Sequence, residues 1–302
     1  MEKRLFCFGL GYSALALAET LRGEGWPIAG TCRESEKADF LRGRGFETFV
    51  FDGTEPLAAA SPALAGATHI LVSAPPDEAG DPVLRWHMAD IAALMEAMPR
   101  LAWLGYLSTT GVYGDRAGGW VDEASERRPS GPRGRKRVIA EDGWLALWRE
   151  RGVPVHLFRL AGIYGPGRNA LETVRGGKAQ RVQKAGQVFS RIHVADIVAV
   201  LRASMAKPNP GAAYNVCDDS PAPPDEVIAY ACELLGVEPP ATVPFERAAL
   251  SPMARSFYDD NKRVANERIK SELGVRLRYA DYRAGLTALL RAESRSPPES
   301  TR

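Results

Sequence analysis

The chain has 302 residues, of which 45% are hydrophobic and 25% charged, as in an ordinary soluble globular protein with a sizeable core. Its 39 Lys and Arg residues nearly balance 37 Asp and Glu residues, and the net charge of +2 gives no reason to expect nucleic-acid or membrane binding. No apolar stretch is long enough to span a bilayer, and the four cysteines form no C-x-x-C pair, which favours a reduced, cytoplasmic compartment.

The first predicted element is a short apolar strand that runs into a glycine turn and a helix. Gly9, Gly11 and Ala14 have the spacing G-x-G-x-x-A. In such a motif the first glycine permits a tight turn, the second lets the backbone approach a pyrophosphate, and the alanine lets the helix pack on the strand. The first helical N–H groups, from Tyr12 and Ser13, would then point at phosphate. The alternative is a purely structural strand–helix turn.

Strand-like and helix-like runs alternate through most of the chain. Further strands are predicted at Pro27–Cys32, Phe46–Phe51, His69–Val72, Trp103–Leu107, Val155–Leu160 and Ala213–Val216. Helices are predicted around Tyr12–Arg22, Glu36–Arg42, Leu84–Met98, Ile139–Arg149 and Val194–Met205. This alternation predicts an α/β protein with a Rossmann-type, doubly wound parallel sheet.

The end of the second strand bears on the choice of nicotinamide cofactor. A dinucleotide site usually has an acid there for the ribose 2′-OH, whereas an arginine accommodates a 2′-phosphate. Here Arg33 follows the strand and the first acid is Glu34. We therefore expect NADP(H) rather than NAD(H). The alternative is that Arg33 is solvated and Glu34 holds the ribose.

Two further strand ends supply candidate cofactor contacts. Asp52 follows the third strand and could accept from the adenine amino group, or it could cap a turn. Ser73, Ala74 and Pro75 follow the fourth strand, where small residues leave room for a ribose and the proline stops a helix. The alternative for these three is an ordinary loop.

The fifth strand and three later segments carry a family resemblance. They are Tyr106–Gly114 (YLSTTGVYG), Val121–Glu123, Phe158–Gly167 (FRLAGIYGPG) and Ile192–Ile197 (IHVADI). Their order and spacing resemble the extended short-chain dehydrogenase/reductases, the epimerase/dehydratase group. The C-terminal part is similar to an atypical subgroup. The resemblance implies a nicotinamide cofactor and a smaller C-terminal substrate lobe.

The resemblance also implies a set of catalytic residues, part of which is missing. In such enzymes a Tyr moves a proton, a Lys four residues later lowers its pKa, and a Ser or Thr orients the substrate oxygen. Thr109 has the Ser/Thr place, and Ser108 beside it is assigned to the cofactor site. The Tyr and Lys places hold Arg133 and Arg137, and arginine cannot act as a base near neutral pH.

Tyr113 is a candidate replacement for the missing proton donor, because it lies near the expected nicotinamide end. Arg133 and Arg137 could lower its pKa by favouring the phenolate. The alternative, which its place in the family implies, is a wall residue that packs over the cofactor.

A basic segment, residues 127–137, lies beside the predicted active site and contains no acid. Its arginines Arg133 and Arg137, together with Arg168, could bind an anionic substrate, and its glycines and prolines would allow a loop that closes over a ligand. The alternative is a solvated loop that leads into a helix. The family's nucleotide-sugar residues are replaced by Gly162 and Phe189, which argues against the standard nucleotide-sugar mode.

We therefore expect a nucleotide-binding domain over residues 1–161 plus 194–216, a substrate lobe over 162–193 and 217–290, and a disordered tail over 291–302. Two functions fit. The first is an NADP(H)-dependent oxidoreductase or epimerase-like enzyme, which Thr109 favours. The second is a non-catalytic sensor of the cofactor, which the missing Tyr/Lys pair favours. A small, anionic substrate and a homodimer are expected, and no metal-ligand spacing occurs among the four histidines.

Overall fold

The computed structural model describes residues 3–98 and 100–294. The strands are β1 (Leu5–Phe8), β2 (Ile28–Cys32), β3 (Glu47–Val50), β4 (His69–Val72), β5 (Trp103–Thr109), β6 (Trp120–Val121), β7 (Val155–Leu160), β8 (Gly162–Tyr164), β9 (Arg181–Gln183), β10 (Arg191–His193), β11 (Ala213–Val216), β12 (Thr242–Pro244) and β13 (Arg263–Val264). The α-helices are α1 (Tyr12–Gly23), α2 (Ser35–Gly43), α3 (Ala60–Leu64), α4 (Pro82–Ala93), α5 (Pro132–Arg151), α6 (Ala170–Arg175), α7 (Val194–Ala206), α8 (Pro224–Leu235), α9 (Pro252–Ser256), α10 (Glu267–Ser271) and α11 (Tyr282–Glu293).

The centre of the molecule is a seven-stranded parallel sheet. Its strand order is β11-β7-β5-β4-β1-β2-β3, which confirms the predicted Rossmann-type α/β fold. The chain runs outward from β1 to β3 and then returns to β4 on the other side of β1. In open α/β sheets, ligands bind outside the carboxyl ends of the strands at such a reversal. The topology therefore directs attention to the loops that follow β1 and β4.

Apolar cores cover both faces of the sheet. On one face, side chains of α1, α2 and α7 such as Leu17, Leu41 and Leu201 form a buried cluster with alternate strand residues. On the other face, α3, α4 and α5 contribute residues such as Leu64 and Trp144. All four residues of β1 are fully buried, because this strand is covered from both sides. The glycine turn after β1 is thus held by a rigid support.

The predicted strands agree closely with the observed ones, whereas one helix begins earlier than predicted. Helix α5 starts at Pro132 and not near Ile139. Proline suits the first helical position because its missing N–H would have no partner there and its φ is already helical. The second half of the basic segment is therefore helical, so a mobile loop over the whole segment is the wrong interpretation.

Outside the central sheet, the described residues form three two-stranded parallel pairs, and we call the part around helices α6, α8 and α11 the C-terminal lobe. Strand β8 pairs with β10, β9 with β12, and β6 with β13. Helices α6, α8 and α11 enclose an apolar core that includes Leu171, Val227 and Leu286. Helix α11 extends to Glu293, so residues 291–293 are helical and not part of a tail. Residues 295–302 of the expected tail lie outside the described residues. No helix over residues 3–98 and 100–294 is long and apolar enough to cross a membrane.

Candidate functional site

The glycine turn after β1 is fixed by the neighbouring strands. Gly9 has φ +93°, and a Cβ on it would lie 3.1 Å from the backbone nitrogen of Ala74. Its own N–H donates to Thr31 Oγ1 at 2.9 Å, and the N–H of Leu10 donates to the Thr31 carbonyl at 2.7 Å. A left-handed backbone and a close neighbour together require glycine here. Thr31 in β2 thereby sets the position of the turn.

The N-terminus of α1 is open. Gly11 is its N-cap residue, with φ −87°; no side chain caps the helix, and the first turn carries no acid. A Cβ on Gly11 would have the Ser73 Oγ, 3.9 Å away, as its nearest neighbour. Ser13 and Ala14 are buried, so the helix is seated closely on the sheet as the motif requires. The N-terminal N–H groups of a helix have no intrahelical partners, and here the dipole favours an anion in front of them.

Arg168 lies at the mouth of this turn. The Tyr12 hydroxyl donates to the Pro166 carbonyl at 3.0 Å, which joins α1 to the loop after β8. The Arg168 guanidinium is 5.7 Å from the centre of the Tyr12 ring and is exposed. Burial raises the pKa of Tyr12, while the Arg168 charge acts to lower it. Arg168, predicted to bind substrate, thus adds positive charge beside the expected pyrophosphate position.

The residues that follow β2 and β3 are placed as expected but differ in their contacts. Arg33 and Glu34 are both exposed, and their side chains have no ion pair within the described part of the chain. Asp52 accepts hydrogen bonds from the Thr54 N–H at 2.8 Å and the Thr54 hydroxyl at 2.7 Å, which lower its pKa. The geometry therefore leaves both cofactor alternatives open at Arg33, and it gives Asp52 the turn-capping role.

The loop after β4 closes the other side of the turn. The N–H groups of Ser73 and Ala74 both donate to the Phe8 carbonyl, at 2.8 and 3.0 Å. Ser73 and Ala74 are half-buried and Pro75 is exposed. These three residues and the glycine turn therefore face each other across the carboxyl ends of β1 and β4.

A buried ionic cluster lies behind the end of β5, and sequence reasoning missed it. Glu141 of α5 is 0% exposed and Arg159 of β7 is 5% exposed. Their side chains form two hydrogen bonds, at 3.1 Å from Arg159 Nε and 2.8 Å from Arg159 Nη2. Arg127 adds a bond at 3.1 Å, and the Ser108 hydroxyl donates to Glu141 at 2.6 Å. Ser108 is predicted from the sequence to contact the cofactor, but its hydroxyl forms its hydrogen bond inside this cluster.

Tyr113 belongs to the same cluster. It is fully buried, its hydroxyl donates to Asn215 Oδ1 at 2.7 Å, and it accepts from Arg159 Nη1 at 2.8 Å. Burial raises its pKa to about 12, although Arg159 acts in the opposite direction. The expectation that Arg133 and Arg137 lower this pKa is wrong, because the arginine in contact is Arg159. The geometry favours the alternative in which Tyr113 is a packing residue.

The Thr109 hydroxyl, at the end of β5, remains available to a substrate. Its Oγ1 accepts from the Gly111 N–H at 3.1 Å and thereby caps the short 3₁₀ helix Thr110–Tyr113. The side chain is half-buried, and its O–H makes no other hydrogen bond within the described residues. A hydroxyl that accepts from the backbone keeps its proton free to donate. Thr109 can therefore orient a substrate oxygen.

The two arginines that the sequence predicts in the Tyr and Lys places have different surroundings. Arg137 donates to the Leu107 carbonyl and, at 3.2 Å, to the Tyr106 hydroxyl, so it is fixed against β5. Arg133 is exposed and stacks 5.2 Å from the centre of the Phe257 ring. Arg133 is thus the freer of the two for an anionic ligand.

Some of the missed residues had a signal in the sequence. Arg159 is the one arginine, lysine or acid in the buried strand β7, and a buried charge needs a partner. Glu141 stands between Ala140 and Trp144 on the buried face of α5, so the pair could have been inferred. The pairing of Lys136 with Glu78 on the loop after β4 had no such signal, because it depends on tertiary geometry. Over the described residues there is no His, Cys, Asp and Glu group that could hold a metal ion.

No family model matches the chain. It is 28% identical to Protein YeeZ of Escherichia coli (strain K12) over 291 residues, which cover 92% of this chain and 97% of that protein. It is 51% identical to a functionally unknown conserved protein from Silicibacter pomeroyi DSS, whose solved structure gives a TM-score of 0.87 and covers 97% of this chain and 100% of that one.

Enzyme structures also match along nearly the whole chain. The dTDP-glucose 4,6-dehydratase from Bacillus anthracis str. Ames, solved in complex with NAD, has a TM-score of 0.75 at 17% identity and covers 98% of this chain and 97% of that one. At this identity the likeness shows the fold. The chain therefore belongs to one family with the Silicibacter pomeroyi protein, and it has the fold of the epimerase/dehydratase group of short-chain dehydrogenase/reductases.

Proposed function

We propose that the protein binds a nicotinamide dinucleotide, NADP(H) in preference to NAD(H), and acts as an oxidoreductase or epimerase-like enzyme on a small substrate. The observation that carries the proposal is the uncapped N-terminus of α1 behind the strained Gly9 turn. Its position at the sheet's reversal point is where this fold binds dinucleotides. The fold's NAD-bound neighbours support the cofactor class.

The residues present fit such a cofactor. The open N–H groups of α1 and the exposed Arg168 would hold the pyrophosphate, since both favour negative charge. Half-buried Ser73 and Ala74 would flank a ribose. When bound, the nicotinamide ring supplies or accepts a hydride. Thr109 would orient the substrate oxygen, and exposed Arg133 would attract an anionic group. The cytoplasmic location and the homodimer remain predictions.

Arg33 supports the NADP(H) preference, and Arg33→Asp tests it. Arg33 is exposed at the end of β2 without an ion pair in the described residues, so it is free to bind a 2′-phosphate. We expect wild-type protein to bind NADPH more tightly than NADH in isothermal titration. The substitution should weaken NADPH binding by about tenfold or more, because a phosphate–arginine hydrogen bond is lost and a carboxylate is added.

The matched control is Arg151→Asp, which makes the same charge change at an exposed position in the last turn of α5. It should leave both affinities unchanged within about twofold. Equal or tighter binding of NADH by the wild-type protein would end the Arg33 proposal and leave Glu34 as the ribose partner.

A specific observation favours the second function, a non-catalytic NADPH sensor. From the sequence, we expect Arg133 and Arg137 in the Tyr and Lys places, and Tyr113 is fully buried with a pKa raised to about 12. Tyr113, the candidate replacement, is therefore poorly suited to donate a proton near neutral pH. A carbonyl-substrate screen that follows NADPH absorbance separates the two functions, since a sensor shows tight binding without turnover.

Tyr113→Phe tests the proton-donor role directly. The substitution removes the hydroxyl between Asn215 and Arg159 and leaves both without that partner. We expect the free energy of unfolding to fall by about 1–3 kcal/mol. NADPH affinity and any turnover found in the screen should change little. A loss of turnover with unchanged affinity and stability would instead restore Tyr113 as the proton donor.

A further inference from the structure

A cavity of about 340 Å³ lies in the C-terminal lobe and is lined by residues of α6, α8 and α11. Most of its wall is apolar and includes Val182, Val227 and Leu286. Lys178 and Arg191 are the basic residues among those that line it, and no Asp or Glu is among the lining residues described. Its volume lies within the range of sites for small organic ligands.

Arg191 brings an uncompensated charge to this cavity. Its Nη1 donates to the carbonyls of Phe189 and Ala222, at 2.8 and 3.0 Å, and no carboxylate of the described residues forms a salt bridge with it. Burial lowers its pKa, while the charge of Asp218 acts to raise it. Because two carbonyls hold the guanidinium in place, it is oriented to bind an anion that enters the cavity.

Asp218 is the acidic residue whose charge acts most strongly on Arg191, but among the described residues the two form no salt bridge. Asp218 donates its backbone N–H to the Arg191 carbonyl at 2.7 Å, and burial raises the pKa of its carboxyl to about 8. A carboxyl with that pKa is mostly protonated at pH 7. Asp218 Oδ2 is buried and makes no hydrogen bond to the described residues. The Arg191 guanidinium therefore has no salt-bridge partner among the described residues and can pair with an anion in the cavity.

Two phenols supply further donors. Tyr258 and Tyr282 line the cavity, and within the described residues their hydroxyls make no hydrogen bond. Burial raises the pKa of each, so both keep their protons at neutral pH. A protonated phenol donates to an anionic oxygen.

We propose that this cavity binds an organic acid with an apolar body. Arg191 and the two phenols hold the anionic oxygens of the head group, and the aliphatic wall holds the body. None of the lining residues belongs to the glycine turn or to the loop after β4. The cavity is thus separate from the candidate cofactor site, and its test needs no nucleotide.

The test is isothermal titration of nucleotide-free protein with phenylacetate, phenyl phosphate and methyl phenylacetate. We expect at least one of the two acids to bind, and the uncharged ester to bind about tenfold more weakly or worse. Comparison of the two acids identifies the head group as carboxylate or phosphate. Arg191→Met should weaken the acid about tenfold or more, whereas Arg291→Met, on the exposed end of α11 outside this cavity, should not.

Arg191→Met is expected to fold, because the Phe189 and Ala222 carbonyls also accept each other's N–H groups, at 3.1 and 3.0 Å. Ile228→Trp is a second variant that fills the cavity and leaves Arg191 in place, and it should also abolish binding. Equal affinity for the ester and the acids, unchanged affinity in Arg191→Met, or no binding of either acid by wild-type protein at millimolar concentration would each overturn the proposal. NADPH affinity has no bearing on these outcomes.

Discussion

Glu141→Ala is expected to lower the free energy of unfolding by about 3–5 kcal/mol. The carboxylate is fully buried and is the only anion in direct ion-pair contact with Arg159 among the described residues. Burial alone would lower the pKa of Arg159, but the hydrogen bonds and charge of Glu141 raise it above its ordinary value. Removal of Glu141 leaves a guanidinium in the core without its counter-charge, and it also deprives Ser108 of its acceptor. Guanidinium chloride unfolding measures the loss.

The chain supplies a matched control in the next residue of the same helix. Asp142 also pairs with Arg127, at 2.7 Å, but its side chain is 57% exposed. Since exposed ion pairs contribute little, Asp142→Ala should cost at most about 1 kcal/mol. Similar losses in the two variants would show that the buried cluster does not stabilise the fold. Glu141→Gln should fall between them, because the amide keeps an acceptor for Ser108 but loses the charge.

The sheet could be predicted from the sequence because its strands carry their signal locally. His69–Val72 and Val155–Leu160 are largely apolar runs of the right length, and both strands occur with those bounds. The glycine turn could be predicted equally well, since the G-x-G-x-x-A spacing is typical of the backbone geometry that Gly9 adopts. Local patterns thus determined the part of the fold that positions the candidate cofactor site.

The rest depends on contacts between residues distant in sequence. The Tyr113 hydroxyl meets Asn215 and Arg159, which lie 102 and 46 positions away, so its burial and raised pKa could not be inferred from neighbours in the chain. Strand β13 pairs with β6 across a similarly long separation. The lobe cavity likewise gathers residues from several short elements. Hydrophobic patterns with a period of two or 3.6 residues carry no information about contacts between residues so far apart in the chain.

Gly11→Ala is expected to weaken NADPH binding roughly tenfold to hundredfold and to leave stability within about 1 kcal/mol of wild type. The new methyl group would meet no protein atom closer than 3.9 Å, and the backbone at φ −87° accepts alanine. Any large effect must therefore come from a ligand that occupies the open space in front of α1. In the proposed function that ligand is the pyrophosphate, which the second glycine of the motif allows to approach. Titration and unfolding of the same preparation measure both quantities.

Gly9→Ala is the counterpart that separates a structural effect from a binding effect. At φ +93°, with the backbone nitrogen of Ala74 at 3.1 Å from the new Cβ, the substitution should cost about 1–3 kcal/mol of stability whether or not nucleotide binds. A stable Gly11→Ala protein that binds NADPH like wild type would contradict a pyrophosphate site at the N-terminus of α1, even though the Gly9 turn kept its structural role. A destabilised Gly9→Ala protein beside a stable, binding-deficient Gly11→Ala protein would divide the motif as proposed: the first glycine serves the turn, and the second serves the ligand.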